Sequence, residues 1–196
     1  MNAGKLMALL LAHHLRVFTT GDVMMLTHLR KDAASHSLRR LEIQGVIQKI
    51  KRGVWISKLV QDLSPSEVLI HLTAPWPSYV SLESALAQWG IISQIPSVIY
   101  GVTAGKPMKC NTPLGVFHIR HINRRLFGNY IFQGSSAARY PIATPEKALL
   151  DTLYFRYRLG GKPNFKEWNW RKLDRKKLKQ LARNFPLSIQ QNIPRP

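Results

Sequence analysis

The 196-residue sequence predicts an α+β fold in two units, residues 1–60 and 61–196. Three observations point there. Apolar residues recur at helical spacing behind capping residues. Short β-rich runs lie between those segments. The apolar fraction is 45%, enough for a globular core, although Lys plus Arg outnumber Asp plus Glu by 29 to 10, a formal net charge of +19. A disordered polycation lacks that apolar content. The charge therefore sits on a folded body suited to a polyanionic partner.

In the first unit, Leu6, Leu9, Leu10 and His13 share a face, predicting a helix over 4–15. Val17-Phe18 is a short extended link. Thr19 or Thr20 caps a second helix that ends near His28, and Asp22 favours the positive end of its dipole. Leu29-Arg30-Lys31 reads as a connection, Asp32 as the cap of a third helix over 33–44, and Gly45 as its end. On that helix Ala34, Leu38 and Leu41 should face inward, and Ser35, His36, Arg39, Arg40 and Ile43 outward. Two β-rich runs, Val46–Ile50 and Val54–Ile56, flank Lys51-Arg52-Gly53 and predict a hairpin with a basic tip.

Helix, helix, short turn, helix and basic hairpin is the layout of a winged helix-turn-helix. A helix fits the DNA major groove, and its outward side chains reach base edges. Arg39 and Arg40 supply forks that match guanine, with Ser35 and His36 near the helix start. Lys49, Lys51 and Arg52 place charge for the phosphate backbone, and Lys31 precedes the helix. A solvated basic face used only for protein contacts is the plainer alternative. The joint occurrence of a basic helix and a basic hairpin favours DNA. His28 and His36 are not completed into a metal site, and the adjacent His13-His14 cannot make an i, i+4 pair, so no metal or cofactor is expected.

The second unit reads as mixed α/β. Ser64-Pro65-Ser66-Glu67 has capping-box spacing, and Thr144-Pro145-Glu146 is a strong helix start. Ser81 can cap a helix from Leu82 to Trp89. Ser97–Thr103 and Gly115–Ile122 have β character, with Tyr130–Phe132 and Tyr140–Ile142 as weaker strands. Phe117, Ile119 and His121 should alternate with His118 and Arg120. The four carboxylates between 61 and 150, Asp62, Glu67, Glu83 and Glu146, form no acidic pair of the kind a metal nuclease needs. No Gly-rich phosphate loop or Gly-x-Ser-x-Gly elbow is present. Cys110 sits beside Lys109, which would lower its pKa, but has no base and reads as a loop residue. An enzyme is not expected.

After the break Gly160-Gly161-Lys162-Pro163, the residues Phe165, Trp168 and Trp170 should dock on the second unit. Asp174 caps a basic helix near 174–185, with Leu178, Leu181, Ala182 and Phe185 inward and Lys176, Lys179 and Arg183 as a second basic face. Residues 186–196 are expected to be poorly ordered. The charge divides unevenly, with +7 on residues 1–60, +3 on 61–150 and +9 on 151–196. The lone Cys110 forms no intrachain disulfide and points to a reducing compartment. The apolar run Leu6–Ala12 leads into His13-His14-Leu15-Arg16 without a cleavage site, and no membrane span is expected. The expected location is the cytoplasm.

Phe18-Thr19-Thr20-Gly21-Asp22-Val23, Ser37-Leu38-Arg39-Arg40-Leu41 and the run from Gly45 to Trp55 resemble the N-terminal winged helix of AbiEi-type antitoxins. Tyr79-Val80-Ser81-Leu82-Glu83-Ser84-Ala85-Leu86, Trp89-Gly90-Ile91, Ile95-Pro96 and Ile142–Asp151 look like that family's later blocks, in order. The resemblance spans residues 15–158. It implies a transcriptional autorepressor that binds repeats in its own promoter and acts as the antitoxin of a bacterial type IV toxin–antitoxin, or phage abortive-infection, system. The toxin would be a nucleotidyltransferase-like protein, generally opposed without a stable complex. The alternative expectation, from the basic composition, is an RNA-binding or ribosome-associated protein.

Overall fold

The computed structural model describes residues 2–136, 138–161, 164–165 and 168–194, which carry eight α-helices and two sheets. Lys162 and Pro163 of the expected break lie outside the described residues.

The first unit runs α1 (Ala3–Ala12), β1 (Val17–Thr19), α2 (Thr20–Thr27), α3 (Lys31–Ile43), β2 (Ile47–Lys51) and β3 (Val54–Ser57). The three strands form an antiparallel sheet in the order β1-β3-β2. Leu6 and Leu10 anchor α1, but the helix ends before His13, which is exposed and not inward. A capping box starts α2: the Thr19 hydroxyl accepts from the Asp22 N–H at 3.1 Å, and the Asp22 carboxylate accepts from the Thr19 N–H at 2.6 Å. The left-handed backbone at His28, φ 54°, ends it. Helix α3 starts earlier than expected. Arg30 is its N-cap without a side-chain bond, Lys31 is its first residue, and Asp32 lies inside the first turn instead of capping. Ala34, Leu38 and Leu41 are buried as expected, with Ser37 beside them.

Both faces of β3 are buried, and they serve different cores. Trp55 packs with Leu6, Leu10, Phe18, Val23, Leu38 and Leu41, whereas Val54 and Ile56, with Ile50, belong to the larger core of the second unit. A boundary at residue 60 therefore divides the chain but not its packing. Arg16 adds a polar joint. Its Nε and Nη2 donate to Glu67 at 2.7 and 3.0 Å, and Nη2 donates to the Asp62 carbonyl at 2.9 Å. The bond to Glu67 raises the Arg16 guanidinium above its ordinary value against the opposing effect of burial. Glu67 also accepts from the Ser64 N–H, so the expected cap is at the same time the joint.

The second unit runs α4 (Pro65–Thr73), β4 (Ser78–Val80), α5 (Leu82–Gln88), β5 (Val98–Thr103), β6 (Met108–Thr112), β7 (Gly115–His121), β8 (Tyr130–Gln133), β9 (Tyr140–Ala143), α6 (Pro145–Arg158), α7 (Arg175–Ala182) and α8 (Leu187–Gln191). The sheet order is β6-β7-β5-β4-β9-β8. The pairs β5–β7 and β4–β9 are parallel and the rest antiparallel. Phe117 and Ile119 are buried as expected, and His121 is exposed. Two strands escape the sequence reading. Strand β4 is short and buried throughout, so it has no alternation to see. Strand β6 is mostly polar, and Cys110 lies on it half-buried, with burial pushing the thiol up instead of Lys109 drawing it down.

The C-terminal segment is more structured than expected. Phe165, Trp168 and Trp170 pack against the large core, as do Leu178, Ala182 and Phe185. Beyond Pro186, helix α8 buries Ile189, which corrects the expectation of disorder from 186 on; Arg195 and Pro196 lie outside the described residues. Glu146, expected only as a cap residue, also accepts from the Asp174 N–H at 2.9 Å and ties α6 to the start of α7. Among the described residues, no helix is long and apolar enough to cross a membrane.

A buried polar cluster joins α6 to β4 and the start of α5. Lys147 and Asp151, one turn apart on α6, form an ion pair with neither side chain exposed. Asp151 Oδ2 also accepts from the Tyr79 hydroxyl at 3.1 Å and the Ser81 hydroxyl at 2.8 Å. The Lys147 ammonium lies 5.0 Å from the centre of the Phe185 ring and 5.7 Å from that of Tyr79. Burial drives the Asp151 carboxyl up and the Lys147 ammonium down, and their mutual attraction opposes both shifts. Ser81, expected to cap α5, makes no such bond, because its hydroxyl is committed to Asp151.

Candidate nucleic-acid interface

The outward face of α3 is fixed by the inward one. With Ala34, Ser37, Leu38 and Leu41 buried, Ser35, His36, Arg39, Arg40 and Ile43 are turned to solvent. The β2–β3 hairpin rises beside this face. Its register slips between Lys49 and Lys51, and Gly53 holds φ 77°, a left-handed backbone that glycine adopts without strain. The turn end of the hairpin is pinned to the start of α2. The Trp55 indole N–H donates to the Thr20 hydroxyl at 3.1 Å, and the Thr20 N–H donates to the Gly53 carbonyl at 3.0 Å. Lys49 lies 5.5 Å from the centre of the Trp55 ring, a cation–π contact that restrains its ammonium.

Between helix and hairpin runs an open groove of about 1040 Å³. Lys31, Ser35, Arg39, Lys49 and Arg52 line it, so five of the eight expected contact residues converge on one concavity. Arg40 and His36 stay exposed on α3 outside that lining, and Arg40 is oriented by a 3.5 Å bond to the Ser37 hydroxyl.

Lys51 departs from its expected role. It belongs to β2 and not to the hairpin tip, and its ammonium donates to the Leu72 carbonyl at the end of α4 at 2.6 Å. Burial lowers it from its ordinary value. It fastens the hairpin to the second unit and is not presented to the groove. The expected second basic face, Lys176, Lys179 and Arg183, is exposed on and just after α7 but does not line the groove.

The groove also contains residues that sequence reasoning placed elsewhere. Thr20 and Trp55 form part of its wall, and Asp32 and Glu42 add two carboxylates. Asp32 was legible, since 100° steps put it within one step of Arg39; reading it as a cap hid that. Against a continuous phosphate surface both carboxylates would repel. A groove of mixed sign instead suits a partner whose donors and acceptors alternate, as base edges do. Comparison of the chain with protein-family models finds no match, and comparison with curated proteins finds none.

Proposed function

We propose that residues 1–60 form a winged helix-turn-helix that reads duplex DNA, and that the protein is a transcriptional autorepressor acting as the antitoxin of a type IV toxin–antitoxin system. The observation that carries the DNA reading is the convergence of Lys31, Ser35, Arg39, Lys49 and Arg52 on one groove between an exposed helix and a hairpin. In this reading α3 enters the major groove, Arg39 forks onto guanine, and Lys49 and Arg52 meet phosphate. The antitoxin role rests on the ordered sequence blocks.

The test is a competition. Duplex DNA from upstream of the reading frame should displace labelled duplex at concentrations where structured RNA of equal charge does not. Preference for the RNA would replace this reading with an RNA-binding one.

Asp32 gives a finer expectation. A carboxylate on a reading helix accepts from the cytosine amino group. Selection from a randomised duplex library should show Asp32→Ala losing a cytosine preference at one position, worth about 1–3 kcal/mol, with the rest of the motif intact. A uniform gain in affinity for all sequences would place the carboxylate against phosphate instead.

A further inference from the structure

No Asp or Glu lies between Glu83 and Glu146, and the cations of that stretch are not spread evenly. A second concavity, about 730 Å³, opens between the β6–β7 pair and the C-terminal end of α6. Lys109, His118, Arg120, His121 and Arg158 line it, together with Pro107, Met108 and Leu159. Among the described residues, no carboxylate lines it. It shares no residue with the groove on α3.

The two arginines lie against aromatic rings, and among the described residues neither pairs with an acid. The Arg120 guanidinium lies 5.3 Å from the centre of the Phe155 ring. Arg158 lies 5.3 Å from that of Tyr154 and donates to its hydroxyl at 3.0 Å. Cation–π contacts of this kind orient the guanidinium while leaving N–H donors for an oxyanion. Burial first, and then the nearby Lys109 and Arg120, hold the His118 imidazole below its ordinary value. Up to three fixed positive charges match a polyphosphate better than a single carboxylate. Leu159 is 72% exposed at the mouth. An apolar mouth gives a duplex backbone nothing to contact but gives a flat ring a surface. The volume falls in the range of small-molecule sites, roughly 300–1,000 Å³.

We propose that this cleft binds a nucleotide, with its phosphates on Lys109, Arg120 and Arg158 and its ring against Pro107, Met108 and Leu159. The site stands independently of the DNA reading. The test is calorimetric titration of the full chain with ATP, with inorganic triphosphate, and with a short duplex of random sequence. ATP should bind saturably and about tenfold more tightly than triphosphate, a difference expected from burying one ring face. Lys109→Ala and Arg158→Ala, both at exposed positions, should each weaken ATP roughly fivefold without changing the melting temperature. Lys49→Ala and Arg52→Ala should leave ATP binding unchanged. The proposal is overturned by absence of saturable ATP binding, by triphosphate binding as tightly as ATP, or by a loss of ATP binding that follows Lys49 and Arg52. Duplex competing with ATP for the Lys109 and Arg158 positions would also overturn it, in favour of a backbone-binding surface.

Discussion

Replacing Lys147 with Met should destabilise the folded chain by about 3–5 kcal/mol, read as a fall in the denaturant midpoint at pH 7. The size follows from what remains. Asp151 is fully buried, and without Lys147 its charge keeps only the Tyr79 and Ser81 hydroxyls as donors. Removing one partner of a buried pair costs far more than the pair contributes. The sign of the pH dependence is also fixed. Burial already raises Asp151 above its ordinary 3.8 in the folded state, and losing Lys147 raises it further. A raised folded pKa makes stability greatest at low pH and loses it as pH rises through the folded value. The variant should therefore be closest to wild type near pH 4 and furthest from it above neutrality. The double variant Lys147→Met, Asp151→Leu should lose less than the sum of the single changes, because no unpaired charge is left behind. Additive losses would show that the two groups do not act as a pair.

The second large effect is on DNA. Arg39→Ala should cost about 1–3 kcal/mol for the preferred duplex and little for random duplex, since a fork onto a base edge discriminates. Lys49→Ala and Arg52→Ala should weaken all sequences alike. Each should flatten the plot of log affinity against log salt by about 0.9, one released counterion per phosphate contact. Lys51→Ala should leave that slope unchanged, because its ammonium is bonded to the Leu72 carbonyl. The Lys51–Arg52 contrast separates this geometry from a tip on which all cations are equivalent. Equal slopes for the two variants would contradict it.

The legible parts of this molecule are those fixed by local periodicity and capping. Steps of 100° separate Ala34, Leu38 and Leu41 from Ser35, His36 and Arg39 on α3, and the structure keeps that separation. Thr19 with Asp22, and Ser64 with Glu67, are capping boxes readable from spacing alone. What escaped depends on partners far along the chain. Lys51 reads as a tip cation until Leu72 arrives 21 residues later to accept from it. Lys147 and Asp151 stand four residues apart on α6, a spacing that says nothing of burial, and it is Tyr79 and Ser81, some 70 residues away, that close over the pair in the interior. Cations at 109, 120 and 158 belong to different elements and become one cleft only when β6 pairs with β7 and α6 ends beside them. The helix after Pro186 was missed because its five residues are too few for a pattern, and burial of Ile189 supplies what propensity does not.

The most direct measurement is the ratio of affinities, at physiological salt, for duplex taken from upstream of the reading frame and for random duplex of the same length. A sequence-reading groove requires the upstream duplex to bind at least about a thousandfold more tightly. Arg39→Ala should cut that ratio, and Arg52→Ala should lower both affinities while leaving it nearly unchanged. Equal binding of the two duplexes by the wild-type chain would contradict the assignment of the α3 groove as a sequence-specific DNA interface.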